Sequence, residues 1–198
     1  MMHNIFSMLQ TALYMIFVQN LVFSGGYGSS EAIRMSTKPR RFVPFSIMIA
    51  VYSTATALLC RRLDSIPAVN ALGSAPHILL FGGVLTALYL VSVALIHLLF
   101  RPNRKFFNTL GIAALNTMVF AVPLINRQAG FSLLQSAGTG LGSALSFILA
   151  LFLVNVGLRR LEKDPDIPPL FRGTPAMFLY VAMLSLAFAG LSGRGLFA

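Results

Sequence analysis

Residues 78–105 read ILLFGGVLTALYLVSVALIHLLFRPNRK: a predominantly apolar run from Ile78 to Phe100, free of Asp, Glu, Lys and Arg, closed by Arg101, Arg104 and Lys105. A helix advances ~1.5 Å per residue and needs ~20 mostly apolar residues to cross ~30 Å of hydrocarbon, so this run predicts a transmembrane helix with a basic end. The pattern repeats on both sides of it. Apolar runs at 4–23, 43–60, 106–126, 133–158 and 174–193 bring the number of predicted spans to six. Eleven of the fifteen Lys and Arg residues fall in three alternate gaps between them. Arg34, Lys38, Arg40 and Arg41 follow the first run; Arg101, Arg104 and Lys105 the third; Arg159, Arg160, Lys163 and Arg172 the fifth. The opposite side holds only Arg61, Arg62, Arg127 and Arg194. Short loops rich in Lys and Arg stay on the cytoplasmic side, so both termini are predicted outside and the odd-numbered loops inside.

Composition narrows the class. With 57% hydrophobic and 10% charged residues in 198, little remains for a soluble domain, and positions 1–198 read as a single membrane domain. The net charge of +10 borders apolar spans and forms no separate face. That arrangement argues against nucleic acid as a partner and for contact with membrane lipid, through anionic headgroups. The first run lacks a basic n-region and leads directly into further spans, so it is not expected to be a removable signal. Cys60 is the single cysteine. It excludes an intrachain disulfide, as well as an all-cysteine zinc or iron–sulfur site held by this chain alone. A packed or lipid-facing thiol is the expected role of Cys60. Glu31, Asp64, Glu162, Asp164 and Asp166 all fall in predicted loops, which argues against an autonomous proton relay at membrane depth. His3 and His77 lie at span ends, and His97 is read as interfacial, near Arg101. No phosphate-binding loop, metal-ligand spacing or nucleophile–base pair stands out, so no catalytic residue is assigned.

Two spans carry breakers. In the first, Gln19 and Asn20 precede the run Ser24-Gly-Gly-Tyr-Gly-Ser-Ser30, which cannot continue a stable helix. In the fourth, Asn116 and Thr117 stand near the middle, followed by Pro123. These segments open two halves of three spans each, residues 1–100 and 101–198. Three spans per half gives opposite orientations, the arithmetic of an inverted-topology repeat with broken first helices. The fold class predicted is therefore all-α, integral to the membrane. Gln19, Asn20, Ser24, Ser30, Asn116 and Thr117 form the candidate polar site at the midplane. Gly138 and Gly142 make a small-xxx-small pair suited to packing inside the chain's own bundle, and Gly82-Gly83 reads in the same way.

The C-terminal third carries a family likeness. Asp166-Ile-Pro-Pro-Leu-Phe171-Arg172-Gly173, then Met183-Leu-Ser-Leu-Ala-Phe-Ala-Gly190-Leu-Ser-Gly193, resembles the RnfA/NqrE-type integral membrane subunits of Rnf and Na⁺-translocating NADH:quinone reductase complexes. Similar stretches are Val18-Gln-Asn20, Ile66-Pro67, Asn116 through Pro123-Leu-Ile-Asn126, and Phe131-Ser-Leu-Leu-Gln-Ser136. The resemblance implies residence in a bacterial cytoplasmic (inner) membrane. It implies a pseudo-symmetric partner in the form of a paralogous membrane subunit, together with other Rnf/Nqr-like subunits. It also implies two cysteines per subunit holding a shared 2Fe-2S cluster. An ungapped comparison sets those cysteine positions on Ser30 and Thr117. Hydroxyls replace iron–sulfur thiolates poorly, so the scaffold is expected to be retained and the cluster lost, leaving no cofactor bound by this chain alone.

The function expected is that of a divergent membrane subunit in an ion-translocating electron-transport complex, a scaffold without its own iron–sulfur ligands. Two other readings stand beside it. One is an independent ion or small-solute transporter reusing the inverted repeat, and the other is a non-catalytic assembly subunit.

Overall fold

The computed structural model describes residues 2–100, 104–162 and 166–191. Arg101, Lys163, Asp164, Pro165, Ser192, Gly193 and Arg194, which contribute to the charge pattern and the C-terminal likeness, lie outside them, as does the side chain of His3. Among the described residues ten α-helices run in order: α1 Met2–Phe17, α2 Leu21–Gly25, α3 Ser29–Ser36, α4 Phe42–Asp64, α5 Pro67–Asn70, α6 Ser74–Phe100, α7 Arg104–Ala114, α8 Thr117–Gln128, α9 Leu133–Leu161 and α10 Thr174–Leu191. Short 3₁₀ turns at Pro39–Arg41 and Pro169–Phe171 precede α4 and α10. No strand occurs among the described residues.

Among the described residues five segments are long and apolar enough to cross a membrane: Pro39–Asp64, Ala75–Phe100, Arg104–Gln128, Leu133–Leu161 and Thr174–Leu191. The first predicted span behaves differently. Its apolar helix, Asn4–Phe17, is shorter, because the chain leaves the helix before Asn20. The N–H groups of Val18 and Gln19 both donate to Tyr14 O, at 2.9 Å, which ends the last turn. Asn20 is extended, and its Oδ1 accepts from the N–H of Val22 at 3.1 Å and Phe23 at 3.3 Å, capping α2. This corrects the expected break: Ser24 and Gly25 are helical, and the interruption is set by Asn20 ahead of the Gly/Ser run. Gly26 and Gly28, at φ 69° and 72°, make a second turn before α3, a backbone shape that favours glycine.

Helix α9 is the axis of the molecule. Its glycines let neighbouring backbones approach more closely than any side chain permits. A Cβ on Gly138 would lie 2.4 Å from Met8 O, and one on Gly142 would lie 2.7 Å from Ala12 O, both on α1. On another side, a Cβ on Gly140 would lie 2.6 Å from Thr54 Cα of α4. The small-residue stripe therefore packs within the chain's own bundle. Phe45 and Ile49 from α4 and Phe147, Leu151 and Val154 from α9 fill the core between these helices. Gly83 departs from the expected packing role: nothing lies within 4 Å of where its Cβ would be, and Gly82 meets only Phe120 at 3.5 Å.

Helices α6 and α10 lie on the outside. Within their spanning windows only 11% of residues are buried, against 56% in α9. Leu79, Leu98 and Leu99 on α6, with Phe178, Leu179 and Met183 on α10, are exposed. Apolar surface on this scale is stable only against hydrocarbon, so this is an integral membrane protein. Cys60 is buried in α4 rather than lipid-facing, and His97 is exposed with its ring 6.0 Å from that of Phe107.

Candidate functional site

The two interrupted segments are built alike. Each ends a helix, α1 or α7, and restarts on an extended asparagine: Asn20 at φ −62°, ψ 110°, and Asn116 at φ −69°, ψ 137°. Asn116 Oδ1 accepts from Met118 N–H at 2.9 Å, so it caps α8 as Asn20 caps α2. Both amides are buried. Asn is suited to this position because its short side chain satisfies helix-terminal donors that water cannot reach inside a bundle. Pro123 lies within α8, past its first turn, and is accommodated there.

The amides face different neighbours. Asn20 Nδ2 donates to Ile16 O at 3.2 Å and to Ser146 O at 3.3 Å, tying the first break to α9. Asn116 lies against the turn at Gly26–Gly28, where a Cβ on Gly28 would come 2.9 Å from its Oδ1. The N–H of Gly28 donates to Thr117 Oγ1 at 2.9 Å. The turn after the first break is thereby locked onto the second break. Ser30 sits in the first turn of α3, two residues past Gly28, and is exposed, as is Thr117. Ser24 is exposed on α2, while Gln19 is half-buried at the end of α1.

The donors at Ser30 and Thr117 do not suit an iron–sulfur cluster. They are hydroxyls, and Thr117 Oγ1 already accepts a backbone hydrogen bond. Cys60, the one thiol, is buried in α4. Among the described residues no three His, Cys, Asp or Glu side chains are grouped to hold a metal. Since cluster ligation calls for thiolates, no step of electron transfer is assigned to these atoms.

A test of this geometry separates Gly28 from Asn116. Gly28→Ala imposes a side chain on a left-handed residue and pushes it against Asn116, so it should cost about 2 kcal/mol or more. Asn116→Leu loses the cap, worth ~1 kcal/mol, but also removes a buried Nδ2 that has no hydrogen-bond partner, so its net effect should be smaller. Thermal unfolding followed by helical circular dichroism in detergent ranks the two. Equal melting temperatures would dissolve the proposed lock.

One polar constellation escaped the sequence. Asp64, expected in a loop, is the last residue of α4 and only 6% exposed. Arg127 Nη1, at the end of α8, donates to Asp64 Oδ1 at 3.1 Å and to Asn70 Oδ1 at 3.3 Å. Nε2 of His77, from the first turn of α6, lies 3.2 Å from the same Asp64 oxygen. The opposite ring nitrogen, Nδ1, is 2.9 Å from Gly73 O, and because a carbonyl only accepts, Nδ1 carries a proton. Four helices, α4, α5, α6 and α8, are thus clasped at one end by buried charge. The sequence offered only a lone carboxylate after Arg61-Arg62 and a lone arginine after Asn126.

Comparison with known proteins agrees with this architecture. The sequence model of a family described as "Rnf-Nqr subunit, membrane protein" matches residues 8–194. One relative, from Aromatoleum aromaticum, is a subunit of an ion-translocating oxidoreductase complex; it is 45% identical over 78 residues, 39% of this chain and 40% of that protein. Another, from Clostridium ljungdahlii, is a subunit of a proton-translocating ferredoxin:NAD(+) oxidoreductase complex; it is 38% identical over 82 residues, 41% of this chain and 42% of that protein. A third, from Buchnera aphidicola, also belongs to an ion-translocating oxidoreductase complex and is 32% identical over 78 residues, 39% of this chain and 40% of that protein. These alignments span about two fifths of the length of the curated relatives. With the family match running from within α1 to beyond the end of α10, the chain belongs to the Rnf-Nqr family of membrane subunits.

Proposed function

We propose that this chain is a membrane scaffold subunit of an ion-translocating electron-transport complex of the Rnf/Nqr type, and that it holds no iron–sulfur ligands of its own. The observation that carries the reading is the family match over residues 8–194. The relatives, which are subunits of ion-translocating or ferredoxin:NAD(+) oxidoreductase complexes, supply the chemistry of the assembly. In this reading α1 with α2 completes a sixth span, and residues 1–100 and 101–198 form two inverted three-helix repeats. The matching asparagine caps at 20 and 116 support that symmetry. The exposed surface around Ser30 and Thr117 faces a paralogous subunit, with lipid around the remaining belt. The bacterial inner membrane is the proposed location.

The transporter alternative asks for one polar cavity formed by Gln19, Asn20, Ser24, Ser30, Asn116 and Thr117. Asn20 spends its amide on α2 and α9, and Thr117 Oγ1 already accepts from the N–H of Gly28, so the scaffold reading is preferred.

Tagged chain purified from its native membrane in mild detergent should co-elute with flavin absorbance and with NADH- or ferredoxin-dependent reductase activity. Elution as a flavin-free protein that restores uptake of a solute would overturn the reading. A stoichiometric iron–sulfur signal that disappears on Thr117→Ala or Ser30→Ala would overturn the claim that the chain lacks cluster ligands. Orientation is tested with single-cysteine variants. Cysteine at Thr37 or Glu162 should react with an impermeant maleimide only from the cytoplasmic side, and cysteine at Asn70 or Ala129 only from outside. The reverse pattern would invert the topology.

A further inference from the structure

We infer that the cavity between the 3₁₀ turn at Pro39–Arg41, the first turns of α4 and the first turns of α7 is a binding site for an anionic phospholipid. Its volume is about 470 Å³, within the range of small-ligand sites. Two cations, Arg41 and Lys105, line it together with Pro44, Met48 and Phe106, and the described lining residues include no carboxylate. The cations come from different halves of the chain and converge on one cleft. An arginine fork matches two phosphate oxygens at once, and a lysine adds a point charge beside it.

The rest of the ligand is dictated by what adjoins the cationic end. Val43, Ile47 and Val51 stand at i, i+4 and i+8 on α4, each more than half exposed, beside the cavity residues Pro44 and Met48. They form an apolar ridge leading away from Arg41 along the helix. A soluble anion leaves both that ridge and the apolar wall unused, whereas a lipid fills both, with its phosphate between Arg41 and Lys105 and an acyl chain along Ile47 and Val51. Both cations stand at helix starts that border the connections read as cytoplasmic, the leaflet where basic pockets between helices meet anionic headgroups. This inference stands whether or not the chain works in an electron-transfer complex.

The chain has no tryptophan, so a single indole can report on the cavity. Phe106→Trp in the full chain is reconstituted into phosphatidylcholine bilayers carrying increasing fractions of brominated phosphatidylglycerol. Quenching should show preference for the anionic lipid of about tenfold or more over brominated phosphatidylcholine. Adding Arg41→Gln and Lys105→Gln should bring the preference towards unity. Arg61→Gln with Arg62→Gln, an equal charge loss at the other end of α4, should leave it in place. Quenching that follows bulk lipid composition in Phe106→Trp alone overturns the site without any further variant. Equal loss from both double substitutions also overturns it, since the attraction would then be diffuse. Relief of quenching by millimolar inorganic phosphate would assign the cleft to a free anion and reject the lipid.

Discussion

Asp64→Ala is expected to destabilise the protein by about 3 kcal/mol, because it removes a buried carboxylate that accepts from Arg127 and lies 3.2 Å from His77 Nε2. His77 is 1% exposed and loses the carboxylate beside its Nε2, while Arg127 is 26% exposed and keeps Asn70. Partial access to water around Arg127 places the loss at the lower end of the range for a broken buried pair. Asp64→Leu combined with Arg127→Met should recover most of it, since removing both partners avoids a buried unpaired charge. Denaturant or thermal unfolding of the helical signal in detergent measures both. A loss below about 1 kcal/mol for Asp64→Ala would mean that the clasp behaves as a solvent-screened surface pair.

A comparable or larger effect is expected at the α9 glycines. In Gly142→Leu even the first added carbon meets Ala12 O at 2.7 Å and Ala12 Cα at 2.8 Å. These are backbone atoms that no rotamer change can move aside, so α1 must shift away from α9. Overpacking of well-packed interiors costs about 1–3 kcal/mol, and a backbone clash belongs at or beyond the upper figure. Gly138→Ala tests the same interface with a single methyl, 2.4 Å from Met8 O. Gly83→Ala on α6 is the control: its Cβ enters open space, so the change should be neutral or slightly stabilising through helix propensity. If Gly142→Leu unfolds no more easily than Gly83→Ala, α1 does not pack on α9 as described.

Features carried by neighbouring residues are legible in the chain itself. Hydropathy over ~20 positions and basic residues at helix ends are local signals, and they locate five of the predicted spans to within a few residues. The small-xxx-small spacing of Gly138 and Gly142 shows in the same way that α9 must approach another backbone closely. Breakers are visible too, but their order of action is not. Asn20 ends the first helix before the Gly/Ser run is reached, because a cap that bonds two N–H groups competes better than glycine, which only permits a turn.

Tertiary structure alone decided which of these local pieces meet. Asp64 and Arg127 are 63 residues apart, Gly28 and Thr117 are 89 apart, and Asn20 reaches Ser146 across 126. No periodicity links such pairs. Their contact follows from how the helices stack around α9, where glycines admit α1 on one side and α4 on another. The same stacking buries Asp64, which hydropathy assigns to a loop, and draws Arg41 and Lys105 into one cleft. Burial of a polar group depends on what packs over it from distant parts of the chain. The sequence therefore specified the membrane helices and their breaks, and the packed bundle determined which polar residues they bring together.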